Sequence, residues 1–170
     1  MKPLIAALVL LSVAVVPARA QKALDDPTIV AIFDAANTAD IETGRLASEK
    51  GSAKAVREFG AMLSRDHTTV RQLGRDLAAR LKVTPTPPAD DAGGRAHADA
   101  MTALRATTGA AFDKAFAAHE VAYHAAVIEA ITKTLLPAIQ NSELKALVEK
   151  VAPAFQAHLL AAQKLQSELK

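Results

Sequence analysis

Apolar residues recur at three- and four-residue intervals along Ala111–Leu135, a stretch of about seven helical turns that contains no Gly or Pro. This pattern predicts an α-helix, and because apolar residues cover most of its girth, other helices must bury it. The same periodicity marks three further segments, at about 27–50, 52–81 and 142–168, and a short amphipathic segment at about 95–107. The Pro- and Gly-rich segment 82–94 separates the first two long helical segments from those that follow. We therefore predict two helical pairs, a long crossover loop and a short extra helix.

Histidines interrupt the apolar stripes of three of these helices, at His67, His124 and His158. Glu42 lies at the edge of the first stripe, one helical turn from apolar residues on either side. A weak internal repeat places KAVRE before His67 at the same spacing as KALVE before His158. The repeat predicts that His67 and His158 face each other at mid-bundle, where Glu42 and His124 join them from the first helix of each pair.

Three imidazoles and one carboxylate form a donor set that suits a single Zn, Cu, Fe or Mn ion. One interpretation is thus a metal site with Glu42, His67, His124 and His158 as ligands. Asp66, Asp113 and Glu120 would then be the side chains that hydrogen-bond to the ligands. The other interpretation is a buried hydrogen-bond network in which Glu42 satisfies His67 or His124. The sequence leaves both open. His97, among polar residues beside the loop, is expected to be exposed and inert.

The first twenty residues have the features of an export signal, namely Lys2, an apolar run and a small-x-small site at Ala18–Ala20. We expect cleavage before Gln21, a signal peptide at 1–20, one domain at 21–170, and a periplasmic or secreted protein. Cleavage removes Lys2 and Arg19, which leaves 18 basic and 18 acidic residues. The mature chain is therefore not expected to bind nucleic acid or to bind membranes strongly.

The absence of Cys excludes disulfides and thiol chemistry.

Four loose motifs occur along the chain: Glu42 with Gly44 and Leu46-Ala47, Asp66-His67, Phe112-Asp113 with His124 downstream, and Pro153 before His158-Leu159. Together with the export signal, they resemble the bacterial domain of unknown function family 4142. The resemblance spans about 27–165 and implies an exported, ferritin-like four-helix bundle with no assigned activity.

Ferritin-type dinuclear sites use a Glu three residues before each of two His ligands. Ser64 and Phe155 occupy those positions before His67 and His158, which argues against a di-iron oxidase or an iron store. The sequence also offers no nucleophile elbow and no Cys for covalent catalysis. We favour a non-enzymatic envelope or stress-related structural or interaction module, with the mononuclear metal-binding bundle as the alternative. Homo-oligomer formation and the identity of a protein partner stay open.

Overall fold

A computed structural model describes residues 24–169, which form five helices and contain no strand. The all-α prediction is therefore confirmed, whereas the predicted signal peptide and its cleavage site lie outside the described residues. Among the described helices, none is long and apolar enough to cross a membrane. The helices are α1 (Asp26–Lys50), α2 (Lys54–Leu81), α3 (Ala92–Ala106), α4 (Gly109–Ala130) and α5 (Ser142–Glu168), and α4 continues through a π-helical turn (Ile131–Leu135) into a short turn (Leu136–Ala138).

Helices α1 and α2 form a closely packed antiparallel hairpin. Gly44 of α1 and Gly60 of α2 face each other so closely that a Cβ atom on either residue would lie 2.6 Å from the other's carbonyl oxygen. A methyl group cannot fit at that distance. Gly60 therefore marks a close helix approach, which brings the mid-helix side chains of α1 and α2 together.

Helices α4 and α5 form the second pair, and α3 carries the chain from one end of the molecule to the other. At one end, the Thr86 N–H donates to the Pro27 carbonyl oxygen, so the loop after α2 lies beside the start of α1. At the other end, the buried Asp113 carboxylate of α4 accepts hydrogen bonds from the backbone N–H groups of Ser52 and Ala53, at 2.8 and 2.7 Å. Asp113 thus caps α2 from a different helix, by accepting from N–H groups at its start.

The core consists of two hydrophobic clusters. The first, which includes Phe33 and Phe155, lies towards the start of α1; the second, which includes Phe112 and Phe116, lies towards its end. Between them lies a layer of buried polar side chains from four helices: Asn37, Asp40, His67, Glu120, His124 and His158. Burying polar groups costs free energy unless they are paired, so this layer is the place to look for function.

Candidate metal centre

Four long helices each contribute a side chain to one buried cluster, which we define as Asp40 of α1, His67 of α2, His124 of α4 and His158 of α5. It contains two overlapping groups that could hold a metal ion, each with ligand atoms within 4.8 Å of one another: His67, His124 and His158, and Asp40, Glu120 and His124. Their residues are 1, 1, 0 and 6% exposed. His67 Nε2 lies 3.1 Å from His158 Nδ1 and 3.4 Å from Asp40 Oδ2, and His124 Nε2 lies 3.9 Å from Asp40 Oδ1. The predicted meeting of the three histidines, and the predicted facing of His67 and His158, are confirmed.

The protonation of the His67 ring follows from its neighbours. The Asn37 side-chain amide donates to the Phe33 carbonyl oxygen at 2.8 Å, so its own oxygen, 2.9 Å from His67 Nδ1, must be an acceptor. His67 Nδ1 therefore carries the proton, and Nε2 carries a lone pair that points into the cluster.

The rings of His124 and His158 are oriented in the same way. His124 Nδ1 donates to the Glu120 carbonyl oxygen at 3.0 Å, which leaves Nε2 as a lone pair without a hydrogen-bond partner among the described residues. His158 Nε2 donates to Asp66 Oδ2 at 3.3 Å, so its lone pair is on Nδ1. In neutral tautomers, three lone pairs therefore converge on the same small volume.

Burial favours those neutral tautomers. Burial, and after it the neighbouring His158 and His124, lower the pKa of His67 to about 3. Burial and His124 also lower the pKa of His158, although Asp66 opposes the change. At neutral pH both rings are uncharged, so the 3.1 Å contact between His67 Nε2 and His158 Nδ1 joins two acceptors with no proton between them.

Two carboxyl groups adjoin this convergence. Asp40 and Glu120 are 1 and 0% exposed, and within residues 24–169 no N–H or hydroxyl group donates to any of their four side-chain oxygens. Within that range, the two carboxyl groups can hydrogen-bond only to each other, through a shared proton. Glu120 Oε2 lies 3.4 Å from His124 Nδ1. Burial, and then the charge of Glu120 and a side-chain hydrogen bond with it, raise the pKa of Asp40 well above its usual value. No described Lys or Arg forms an ion pair with either group, so in the metal-free protein a retained proton limits their negative charge.

Three further residues, Asp66, Glu120 and Asp113, were predicted to hydrogen-bond to the ligands, and only the first two lie beside the histidines. Asp66 orients His158, as expected of a side chain that hydrogen-bonds to a ligand. Glu120 holds the His124 ring through its backbone carbonyl oxygen, and its carboxylate lies 3.4 Å from the same ring nitrogen. Asp113 instead caps α2, as described above.

Glu42 does not join the histidines. Its side chain is 49% exposed and accepts from His97 Nε2 at 2.8 Å, and His97, expected to be exposed, has a side chain only 18% exposed. The correction has a geometric reason: Glu42 is two residues beyond Asp40, which turns it about 200° around α1 to the opposite side.

Asp40 and Asn37 were missed by the sequence interpretation. The sequence does contain a signal for them, namely residues of α1 that recur at three- and four-residue intervals. All the residues in this row are buried: Phe33, Asn37, Asp40, Gly44 and Ala47. Polar residues at such positions in an otherwise apolar stripe deserve the same scrutiny as the histidines.

The buried side chains of this cluster could hold a metal ion. Ligand atoms around a tetrahedral Zn²⁺ with bonds of about 2.05 Å are separated by about 3.3 Å. His67 Nε2 meets this spacing, at 3.1 Å from His158 Nδ1 and 3.4 Å from Asp40 Oδ2, whereas the 3.9 Å between His124 Nε2 and Asp40 Oδ1 is longer. Each imidazole also donates its other N–H to an oxygen acceptor, the usual arrangement of metal-ligating histidines.

Comparison with known proteins adds a family and no activity. Neither a search of curated proteins nor a search of solved structures found a match. Residues 12–165 match the model of a domain of unknown function, DUF4142, and the chain therefore belongs to that family.

Proposed function

We propose that the protein binds one divalent transition-metal ion, Zn, Cu, Fe or Mn, at the centre of its helices. The ligands are His67 Nε2, His124 Nε2, His158 Nδ1 and a carboxylate oxygen of Asp40. The observation that carries the proposal is the orientation of the three rings, whose lone-pair nitrogens lie within 4.8 Å of one another beside the buried Asp40 carboxyl group.

The competing interpretation is a hydrogen-bond network without metal. Such a network needs donors at its centre, but the N–H groups of all three rings are already committed outwards to Asn37, Glu120 and Asp66. An extra proton on one ring would supply a donor, yet burial disfavours the charged ring. A proton on Asp40 supplies one donor, which the neighbouring Glu120 takes up. One proton cannot satisfy three ring lone pairs as well as two carboxyl groups, whereas a cation can, so the geometry favours metal over the network.

Charge supports a divalent ion. Asp40 and Glu120, when ionised, carry two negative charges in a region that excludes water. A 2+ ion with neutral imidazoles balances them, and a balanced site avoids the large cost of an isolated charge in a medium of low dielectric constant. Imidazole-rich sites do not choose sharply among Zn, Cu, Fe and Mn, and we leave that choice to experiment.

The ion would act as a cross-link. Asp40, His67, His124 and His158 come from four different helices, so one ion ties α1, α2, α4 and α5 together. We propose a non-enzymatic structural or interaction module of the cell envelope, with a ferritin-like bundle topology, that metal stabilises. The signal features of residues 1–20 support export, and the chain has no Cys to form a disulfide in its place.

Calorimetry and melting of the metal-stripped protein test the proposal. We expect one equivalent of Zn, Cu(II), Fe(II) or Mn(II) to bind and to raise the melting temperature. At a hundredfold excess over the dissociation constant the stabilisation is about 2.7 kcal/mol, since the ion binds only the folded state. His67→Ala and His158→Ala should abolish the shift, whereas His97→Ala, a histidine outside the cluster, should keep it. Absence of heat and of a melting shift with all four metals would refute the proposal.

A further inference from the structure

The three imidazoles differ in their access to solvent. His67 and His124 are 1 and 0% exposed, whereas the His158 side chain is 8% exposed and borders Asp66, whose side chain is 37% exposed. The His158 ring also faces two ways, with Nδ1 towards His67 at 3.1 Å and Nε2 towards Asp66 Oδ2 at 3.3 Å. Water therefore comes closest to the cluster at the seam between α2 and α5.

The opposite side of the cluster is more firmly covered. Tyr123 of α4 donates its hydroxyl proton to the Ala36 carbonyl oxygen of α1 at 2.9 Å, which ties the two helices together beside His124. The His119 ring stacks on Tyr123 with centroids 5.7 Å apart. The exposed Glu42 and its partner His97 lie outside this cover. An ion that entered from there would have to break the Tyr123 hydrogen bond and pass an aromatic ring.

We propose that Asp66 is the entry position for the metal ion, and that His158 passes the ion inwards; this inference rests on the proposed function. Asp66 attracts a hydrated cation at the seam, where its Oδ2 lies 3.3 Å from the His158 ring that separates the seam from His67. Rotation of the least buried ring then exposes His67 Nε2 and Asp40 Oδ2 to the ion. The exposed Arg65 lies 3.2 Å from the other oxygen of Asp66 and partly offsets its charge.

Rapid-mixing kinetics with Zn²⁺ on the purified protein test this route, with a chelator to follow release. Asp66→Asn keeps an oxygen acceptor for His158 Nε2–H and removes the charge. Glu42→Gln is the matched control, because Glu42 is also an exposed carboxylate that hydrogen-bonds with a histidine. We expect Asp66→Asn to lower the association rate about five- to thirtyfold, the range for a divalent ion attracted to one carboxylate with and without salt screening. Glu42→Gln should leave it unchanged, and Arg65→Gln should raise it.

The rate constants separate entry from simple positioning. If Asp66 only holds the His158 ring, Asp66→Asn will speed release and leave association at the wild-type rate, which would overturn the proposal. Association slowed by Glu42→Gln and not by Asp66→Asn would place the entrance on the other side and overturn it as well. Failure of the proposed function looks different, because the wild-type protein would then show no binding heat and no loading kinetics at all.

Discussion

Replacing Asp40 by Asn should have opposite effects on the metal-free and the metal-loaded protein. In the metal-free protein the Asp40 carboxyl group is 1% exposed and can hydrogen-bond to Glu120 only while it holds a proton. Asn has nearly the same shape, cannot ionise, and can donate its N–H₂ to the adjoining Glu120 carboxylate. We therefore expect Asp40→Asn to stabilise the metal-free protein at neutral pH and to remove metal-dependent stabilisation.

The expected stabilisation of the metal-free protein by Asp40→Asn follows from the cost of an unsatisfied buried polar group, about 1 to 3 kcal/mol. For a domain of this size, 1 kcal/mol corresponds to about 2 to 4 °C in melting temperature, so the metal-free variant should melt roughly 3 to 10 °C above the wild type. In the presence of metal, the wild type should instead melt at a higher temperature than Asp40→Asn. Loss of a charged ligand should lower affinity by at least about 100-fold, more than the loss of a side chain that only supports a ligand.

The raised pKa of Asp40 also determines how the stability of the metal-free protein depends on pH. The folded-state pKa of Asp40 is raised above its unfolded value of 3.8, so the folded protein holds this proton more tightly. The resulting stabilisation is complete below pH 3.8 and is lost as pH rises towards the folded-state pKa. Asp40→Asn should abolish that part of the loss, which has a slope of at most about 1.4 kcal/mol per pH unit.

Calorimetric melting of chelator-treated protein between pH 4 and 8 provides the assay. Asp76→Asn, an exposed aspartate of α2, is the control and should change the melting temperature little. The reasoning would be refuted if Asp40→Asn destabilised the metal-free protein at pH 7, because the carboxylate would then have to be held by favourable interactions.

Three further predictions concern residues outside the ligand set. Asn37→Ala removes the acceptor of the His67 Nδ1–H and should lower metal affinity about 10- to 100-fold without removing a ligand, as measured by calorimetry. Asp113→Ala removes two hydrogen bonds at the start of α2 and should cost about 2 kcal/mol in urea unfolding; unchanged stability would contradict the capping role, and metal affinity should not change. Mass spectrometry of the exported protein should find an N-terminus at Gln21, whereas a full-length chain held in the inner membrane would contradict cleavage.

The fold and three of the four cluster residues could be predicted from the sequence because helical periodicity is a strong signal. His67, His124 and His158 stand out as polar residues in apolar stripes, and the repeat around His67 and His158 correctly predicted their contact. The buried face of α1 is harder to predict, because alanines at 31, 35, 36 and 39 make several of its faces look equally apolar. The predicted apolar stripe of α1 therefore lies about one residue away from the buried one, and it favours Glu42 over Asp40 as the carboxylate beside the histidines.

The ring tautomers could not be predicted at all. They depend on contacts between residues far apart in the chain, such as Asn37 with His67 and Asp66 with His158. The ambiguity between metal site and hydrogen-bond network lies in those contacts, since both interpretations use the same residues and differ only in where the protons are.

Anomalous diffraction from crystals of the protein loaded with one equivalent of Zn²⁺ tests the central claim most directly. We predict a single buried peak at about 2.0 to 2.2 Å from His67 Nε2, His124 Nε2, His158 Nδ1 and a carboxylate oxygen of Asp40. A bundle centre without a peak, in crystals whose only zinc lies at surface sites such as Glu42 and His97, would contradict the account.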